Sequence, residues 1–381
     1  MPVLDYPPMR IMLTGGGTGG HVFPLLAVAK KLRKAQPECA FRWFGSIRIE
    51  AKLVPGFGIE GTFVPFTFSY RRLSMRALAY YLRTLPAWII GLPVWLALRD
   101  LRRFKPDIVL SSGGYVSAPM LLAARIARVP YALVEINAVP GRATVFFASH
   151  ASRIYCATEG IASQLRRAAA GSLMVSGYPA DTHRSEGANA REHWDLPEGV
   201  PLVVVVGGST GAKAINELAN EALGEPQFVS RASGRLSILH QLGREPTEAE
   251  KAVFSGWAHY RTVAFDPLMA QIYPEAALYI GRAGAATIAE LVAARLPAVF
   301  IPYPHHADRQ QYLNAKVLAE VGAAVILEEG APGNAVRLRE LVEEIALGGR
   351  GKAMRDGFKT LQRDGAQLIA NDMLALAGGR R

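Results

Sequence analysis

Cysteine is almost missing from this chain: of 381 residues, only Cys39 and Cys156 carry a thiol. They lie far apart and outside any CxxC or Cys/His ligand spacing, which excludes a disulfide framework or a zinc cluster and fits a reducing cytosol. No apolar run reaches the length of a membrane-spanning helix, and the opening MPVLDYPPMR lacks the charged-then-apolar pattern of a secretory signal. None of the glycine turns ends in the Lys-Ser/Thr of a P-loop, and no Asp-x-Asp pair is present to hold a nucleotide diphosphate through a metal. Low-complexity tracts are absent too.

Acidic residues are in deficit. The 32 Asp and Glu face 43 Lys and Arg, and the resulting net charge of +11 calls for an anionic partner. Much of the excess lies between Arg71 and Lys105, where Asp100 is the only acid and the basic residues bracket an uncharged run from Leu85 to Leu98. As a helix that run would be only ~21 Å long against a hydrocarbon core of ~30 Å, with Pro86 and Pro93 bending it. Three readings of the segment stay open: a buried core helix with outward arginines; an interfacial patch with Trp88, Ile89, Ile90 and Trp95 in lipid and arginines on anionic headgroups; or a nucleic-acid surface, which lacks any recognised motif here.

What the chain does have is glycine. Four glycine-rich turns follow apolar strand-like runs: MLTGGGTGGHVFP, VLSSGGYVSAP, VVVVGGSTGAKAIN and YIGRAGAATIAE. Glycine lets backbone approach an oxyanion, and the following helix offers free N–H groups and a positive dipole end, so such turns suit phosphate or sugar-phosphate ligands. Their recurrence in both halves of a chain too long for one core predicts two nucleotide-type domains facing one cleft.

Strand and helix alternate through the first half. Strands are expected at Ile11–Thr14, Ala40–Phe44, Ile108–Leu110, Tyr131–Val134, Ile154–Cys156 and Met174–Val175, with helices such as Leu25–Lys34 and Pro119–Ala127 between them. The pattern restarts at Leu202–Val206 and runs through Leu236–Leu239, Thr262–Phe265, Leu278–Ile280, Ala298–Ile301 and Ala324–Ile326. Alternation of this kind predicts two doubly wound parallel α/β sheets. The polar stretch from Gly177 to Pro201 holds the boundary, so the first domain is expected at 1–177 and the second at 178–351, with helix from about 352 to the end crossing back onto the first.

Gly15–Gly20 formally satisfies the dinucleotide fingerprint GxGxxG. That fingerprint also needs an acid at the end of the second strand, and FRWFGS stands there instead, which argues against a dehydrogenase. The remaining reading is a two-domain enzyme that binds a sugar nucleotide without a metal or other cofactor.

GGGTGGHVFPLLAVA, SSGGYVSAP, EINAVPGRAT, GGSTGAKAIN, GRAGAATIAEL and PYPHHADRQQYLNA, in this order and at these separations, closely resemble the MurG family of peptidoglycan N-acetylglucosaminyltransferases, in glycosyltransferase family 28. The resemblance implies a GT-B fold: two Rossmann-like domains with parallel sheets facing an interdomain cleft. It implies inverting transfer of N-acetylglucosamine from UDP-GlcNAc to lipid I, the undecaprenyl-pyrophosphoryl muramoyl-pentapeptide, giving lipid II for peptidoglycan. The acceptor would place the protein peripherally on the cytoplasmic face of the cell membrane, on anionic phospholipid, beside other cell-wall synthesis or division proteins and away from nucleic acid.

Residue by residue, the resemblance puts Thr18, Gly19, Gly20 and His21 near the acceptor and the reacting sugar. His21 and Glu135 are alternative general bases, each with a structural alternative as a brace of its loop. Asn137 belongs to the same motif as Glu135. In the second domain Ser209 would approach the UDP diphosphate, Ala285, Ala286 and Thr287 would open a helix towards the leaving group, and Ile288, Ala289 and Glu290 continue that helix, with Glu290 on the uridine ribose. Gln310 and Gln311 match residues on the GlcNAc hydroxyls. The chain departs from the family at Ile136, at Thr210 and at Asp181, which stands in place of an arginine near the donor diphosphate. A transferase with another lipid acceptor, or a catalytically impaired scaffold of wall assembly, stays as an alternative.

Overall fold

The computed structural model of the chain describes residues 8–65, 87–180, 190–207, 212–266, 268–305 and 308–378. The chain forms two units, one from the segment up to Asp181 together with Arg363 onward, the other from Thr182–Gln362.

The first unit is built on a seven-stranded parallel sheet of β1 (Arg10–Thr14), β2 (Ala40–Ser46), β3 (Glu60–Val64), β4 (Ile108–Ser111), β5 (Tyr131–Glu135), β6 (Arg153–Cys156) and β7 (Leu173–Val175). Their order is β3-β2-β1-β4-β5-β6-β7. Strands β4 and β5 are buried at every residue, as sheets covered by helices on both faces require. Around them run α1 (Phe23–Ala35), α2 (Ile49–Leu53), α3 (Ala87–Phe104), α4 (Ala118–Ala127) and α5 (Arg142–Phe147). Helix α1 starts with Pro24 in its first turn, buries Leu25, Leu26, Val28, Ala29 and Leu32, and closes with Arg33 and Lys34 beside its negative end.

Strand β3 was not expected from the sequence. It is an edge strand whose only buried residue is Val64 and whose second residue is Gly61, so it carries no apolar run to read. Helix α3 takes the apolar part of the basic segment, while Arg71, Arg72, Arg76 and Arg83 lie outside the described residues. From Gly91 onward its faces differ: Pro93, Ala97, Asp100 and Leu101 are buried, whereas Leu92 and Trp95 are 45% and 56% exposed. A fully buried core helix does not account for that second face. No helix among the described residues is long and apolar enough to cross a membrane.

The second unit holds a six-stranded parallel sheet of β8 (Leu202–Val206), β9 (Ser237–Gln241), β10 (Tyr260–Val263), β11 (Leu278–Gly281), β12 (Ala298–Phe300) and β13 (Ala324–Ile326), in the order β10-β9-β8-β11-β12-β13. Helices α6 (Lys213–Leu223), α7 (Glu248–Phe254), α8 (Ala285–Ala294), α9 (Gln310–Glu320) and α10 (Asn334–Val342) connect them. Strand β10 begins two residues before the expected Thr262, because Tyr260 is the residue that packs inward, stacked on Phe254 at 3.8 Å, while Phe265 is 51% exposed. His240 lies fully buried in the same layer, with Nδ1 2.8 Å from the Tyr260 hydroxyl and Nε2 3.1 Å from Asn216 Oδ1. Burial pulls its pKa down to about 4, so it stays neutral and both ring nitrogens are used by the fold.

The expected terminal helix is broken. It runs as α11 (Arg350–Gly357), then a short turn, and resumes as α12 (Gly365–Gly378), which belongs to the first unit and packs on α1. The Asp364 carboxylate accepts from Gln367 N at 3.0 Å and so starts the new helix. Asp372 anchors it, accepting from Arg153 Nε at 2.9 Å, from Arg153 Nη2 at 3.1 Å and from the Tyr155 hydroxyl at 2.9 Å.

Removing Asp372 leaves the buried Tyr155 hydroxyl and the Arg153 fork without this acceptor. Asp372→Ala should therefore cost about 1.5 to 3 kcal/mol in urea unfolding of the first unit. Lys31→Ala, which breaks the partly exposed Lys31–Asp364 pair at 2.7 Å, should cost under about 1 kcal/mol. Equal losses would mean that Asp372 does not anchor the helix.

Candidate active-site residues

In the first sheet β1 and β4 lie side by side, yet the chain leaves β1 towards β2 and leaves β4 towards β5. Loops at such a switch point diverge and open a crevice beyond the carboxyl ends of the strands. The turns Gly15–Gly20, Ser112–Gly114 and Ile136–Gly141 all follow strands of this sheet, and side-chain bonds hold them in place.

His21 sits in a single 3₁₀ turn, Gly19–His21, half-buried. Its Nδ1 is 2.8 Å from the carbonyl oxygen of Ser112. A carbonyl only accepts, so Nδ1 carries the proton and the lone pair of the neutral ring lies on Nε2. The Ser112 hydroxyl donates in turn to the His21 carbonyl. Gly114 has φ +79°, and a Cβ there would stand 3.2 Å from His21 Cδ2 and 3.4 Å from Nε2, so glycine both permits the turn and leaves the ring its space. Thr18 is exposed at the start of the His21 turn without a side-chain cap bond, and Gly19 and Gly20 are half-buried.

Glu135, at the end of β5, is 2% exposed and saturated. Oε1 accepts from Asn137 N and Nδ2, both at 3.0 Å, and Oε2 accepts from Gly141 N at 2.9 Å and Thr144 Oγ1 at 2.6 Å. Those four donors bind the loop after β5 to the strand. Asn137 spends its side-chain amide on that carboxylate, and Ile136 points into the core at 4% exposure.

One buried acid escaped sequence reasoning. The acid missing from the end of β2 is supplied four residues past Ser46 by Glu50 in α2, fully buried, whose carboxylate turns back to accept from Gly17 N at 3.0 Å. Tyr115 lies against the same glycine, 3.3 Å from where a Cβ on Gly17 would be, with the Arg48 guanidinium 5.9 Å above its ring.

The second sheet repeats the arrangement at β8 and β11. Gly281 closes β11 where a Cβ would fall 2.2 Å from the Val206 carbonyl oxygen, so no side chain fits between the two strand ends. Beyond it α8 begins at Ala285. Ile288 N already donates to Gly284 O at 2.9 Å, so the N–H groups free of helix partners are those of the first turn, Ala285 to Thr287. The Tyr279 hydroxyl just before this turn donates to Arg282 O at 3.2 Å, and Ile288 and Ala289 point into the core at 1% and 2% exposure.

Glu290 is half-buried near the phenols of Tyr273 and Tyr279. Burial alone pushes its carboxyl up to about 8; neither a hydrogen bond nor a cation among the described residues offsets that cost. Glu290 and Glu135 are thus opposites: one carboxyl is held by four donors, the other is left open.

Gln310 and Gln311 open α9. Gln310 N donates to Asp308 Oδ1 at 3.2 Å, and Gln311 Oε1 accepts from Tyr303 N at 3.0 Å, so the Gln311 carbonyl is used by the fold. Buried Asn314, one turn later, donates from Nδ2 to Ala283 O at 3.2 Å and fixes the turn that leads into α8. Ser209, Thr210 and Asp181 lie outside the described residues.

Comparison with known proteins follows the same division. The glycosyltransferase family 28 N-terminal domain matches residues 11–156 and the family 28 C-terminal domain matches residues 202–368. A UDP-N-acetylglucosamine–N-acetylmuramyl-(pentapeptide) pyrophosphoryl-undecaprenol N-acetylglucosamine transferase from Syntrophotalea carbinolica is 37% identical over 326 residues, 84% of this chain and 86% of that protein. The transferase of the same name from Moorella thermoacetica is 34% identical over 94% of this chain and 96% of its own length. Among solved structures, MurG of Acinetobacter baumannii superposes with a TM-score of 0.70 at 28% identity, over 97% of this chain and all of that one. With both family domains matched in order and relatives above 30% identity along most of its length, this GT-B protein belongs to glycosyltransferase family 28.

Proposed function

We propose that the protein transfers N-acetylglucosamine from UDP-N-acetylglucosamine to N-acetylmuramyl-(pentapeptide) pyrophosphoryl-undecaprenol, lipid I, to give lipid II. The reading rests on the relation to transferases of that name along most of the chain. The side-chain geometry supplies a chemistry for it.

The first unit takes the acceptor. His21 is the base: its Nε2 lone pair, fixed by the Nδ1–H bond to Ser112, accepts the proton of the muramoyl C4 hydroxyl as that oxygen attacks the anomeric carbon. Glu135 is a loop brace, because both of its oxygens are already occupied. Thr18, Gly19 and Gly20 form the backbone around the reacting hydroxyl. The second unit takes the donor. The diphosphate meets the free N–H groups of Ala285, Ala286 and Thr287 and the positive end of α8, which stabilise it as it leaves. Ser209 joins it there, and Ile288 and Ala289 contribute only as packed helix. Glu290 takes the ribose hydroxyls, and Gln310 and Gln311 take those of the sugar. Displacement in a single step inverts the α-linked donor to a β-linked product.

On this reading the acceptor's lipid tail keeps the protein at a membrane surface, and we take that surface to be the cytoplasmic face. The exposed face of α3, with Leu92 and Trp95 and with the Arg99 guanidinium 5.6 Å over the Trp95 ring, supports lipid contact. Helix α4 packs beside it and adds Leu122 and Ile126 at 39% and 59% exposure. Trp95→Ser should lower co-sedimentation with anionic vesicles, most visibly in high salt where arginine attraction is screened; unchanged binding would place the contact elsewhere.

Turnover of UDP-GlcNAc with a lipid I analogue tests the function directly. His21→Ala should reduce kcat by roughly 10² to 10⁴ with donor KM little altered, and a loss below about tenfold would remove His21 from the base role. Glu290→Ala should raise the UDP-GlcNAc KM by roughly 10- to 150-fold, the equivalent of about 1.5 to 3 kcal/mol.

The half-buried, desolvated carboxyl of Glu290 also fixes a pH dependence. Its pKa rises from about 4.3 in the unfolded chain to about 8 in the fold, so its contribution to stability is complete below the first value and is lost as pH rises through the second. Glu290→Gln stays neutral throughout. Thermal unfolding without donor should therefore show the variant gaining on the wild type between about pH 5 and pH 8.5; a constant difference would show that the carboxyl is not desolvated.

A further inference from the structure

Glu50 takes no part in the steps above, yet it is buried at 0% exposure directly beneath the first glycine turn. Its Oε1 accepts from Ser46 N at 2.9 Å and Ser46 Oγ at 2.6 Å, and its Oε2 accepts from Gly17 N at 3.0 Å. A Cβ on Gly16 would lie 2.1 Å from Oε1 and 2.3 Å from the carboxyl carbon, so the turn rests on the carboxylate with no room between. At its far end the same turn is held by Ser112, through the His21 ring and the His21 carbonyl. Gly15 sits between the two clamps, where a Cβ would be 2.1 Å from Ser112 Oγ and 2.7 Å from His21 O.

A carboxylate is an unsuitable floor for an anion site. It takes the Gly17 N–H that a phosphate would use and sets a negative charge below the turn, and burying it carries a desolvation cost that a merely space-filling residue would not incur. We propose instead that Glu50 is a positioning residue, tying the turn after β1 to the end of β2 and so setting where His21 presents Nε2. The inference rests on the reading of His21 as the base. Held at Gly17 and at Ser112, the short stretch from Gly16 to His21 has little freedom to shift, and a displacement of about 1 Å in a proton acceptor is enough to cost on the order of 100-fold in rate.

The test compares wild type, Glu50→Gln, Ser46→Ala and His21→Ala, reading kcat, donor KM, thermal unfolding and the ¹⁵N NMR tautomer of His21 in the substrate-free protein. Glutamine keeps the shape but has one acceptor where donors approach from both sides, so its N–H₂ must oppose either Ser46 or Gly17. For Glu50→Gln we expect a folded protein whose kcat is lower by roughly ten- to hundredfold, whose UDP-GlcNAc KM stays within about twofold because the donor groups lie in the other unit, and whose His21 changes from a single Nδ1–H tautomer to a mixture. Ser46→Ala keeps the Gly17 bond and should shift both readings in the same direction by less.

A folded Glu50→Gln protein with wild-type kcat and tautomer overturns the proposal, as does a loss of kcat with the tautomer unchanged or a rise in donor KM equal to the fall in kcat. If Glu50→Gln does not fold, Ser46→Ala decides the matter, and wild-type kcat and tautomer there overturn it. Should the wild type fail to make lipid II, or should His21→Ala cost little, the functional reading fails; the tautomer still reports whether Glu50 positions the ring.

Discussion

The pairing of β1 with β4 in one sheet, and of β8 with β11 in the other, constrains everything else in this protein. Thr14 lies opposite Ser111 and Val206 opposite Gly281, so in each sheet two parallel strands end level and their chains then part. Side chains are excluded where the backbones come that close. Gly281 is therefore a demand of the sheet before it is a feature of a site, since a Cβ there would run into the Val206 carbonyl; Gly15 answers to its turn, where a Cβ would meet the Ser112 hydroxyl and the His21 carbonyl. Once the strand ends are fixed, the crevice beyond them is where polar groups can gather without breaking a ladder of backbone bonds.

The polar groups gathered there divide by who satisfies them. Glu135, Glu50 and Asn314 are buried and bonded to their own chain, and each joins a loop to the strand or helix it must stay beside. His240 does the same inside the second core, where burial makes it nearly impossible to protonate near neutral pH. Glu290 stands apart. Its half-buried carboxyl is desolvated, and no group among the described residues is bonded to it. The physical difference between a bonded carboxyl and an open one is thus visible in two glutamates that sequence treats alike: one that leads a loop after β5 and one that lies a turn into α8.

Sequence made the buried part of this architecture plain. Strands such as β8, LVVVV, are apolar at every position because both faces are covered, and the helices between them repeat on the period of a helix face, so the two sheets and the glycine turns could be read from residue order. What could not be read depended on contacts distant in sequence. Strand β3 is an edge with one buried residue. The break before α12 depends on Asp364 capping a new helix. Glu50 reads as an ordinary acid on a short amphipathic helix until the chain is seen to reverse after β2 and carry it back under Gly17. Glu135 was visible as a motif member, but its four donors come from the loop and from the start of α5, two to nine positions on, and only their convergence shows how fully its oxygens are occupied.

In the glycine turns one sequence signal serves two chemistries. In the first unit the N–H groups of Gly17, His21 and Val22 are already spent, on Glu50, on Thr18 O and on Gly19 O, and a negative charge lies beneath the turn. Those three N–H groups are closed to a ligand, and the turn presents a side chain, His21, at the end of a tightly held backbone. In the second unit the turn after β11 is braced from behind by Asn314 and by the Arg282 guanidinium, which donates to Ile301 O at 2.7 Å, and the first N–H groups of α8 remain unpaired by the helix. That turn presents backbone and dipole. The same glycine spacing therefore presents a side chain when an acid lies under it and open backbone N–H groups when a helix start is left free, and the difference is set by residues outside the motif.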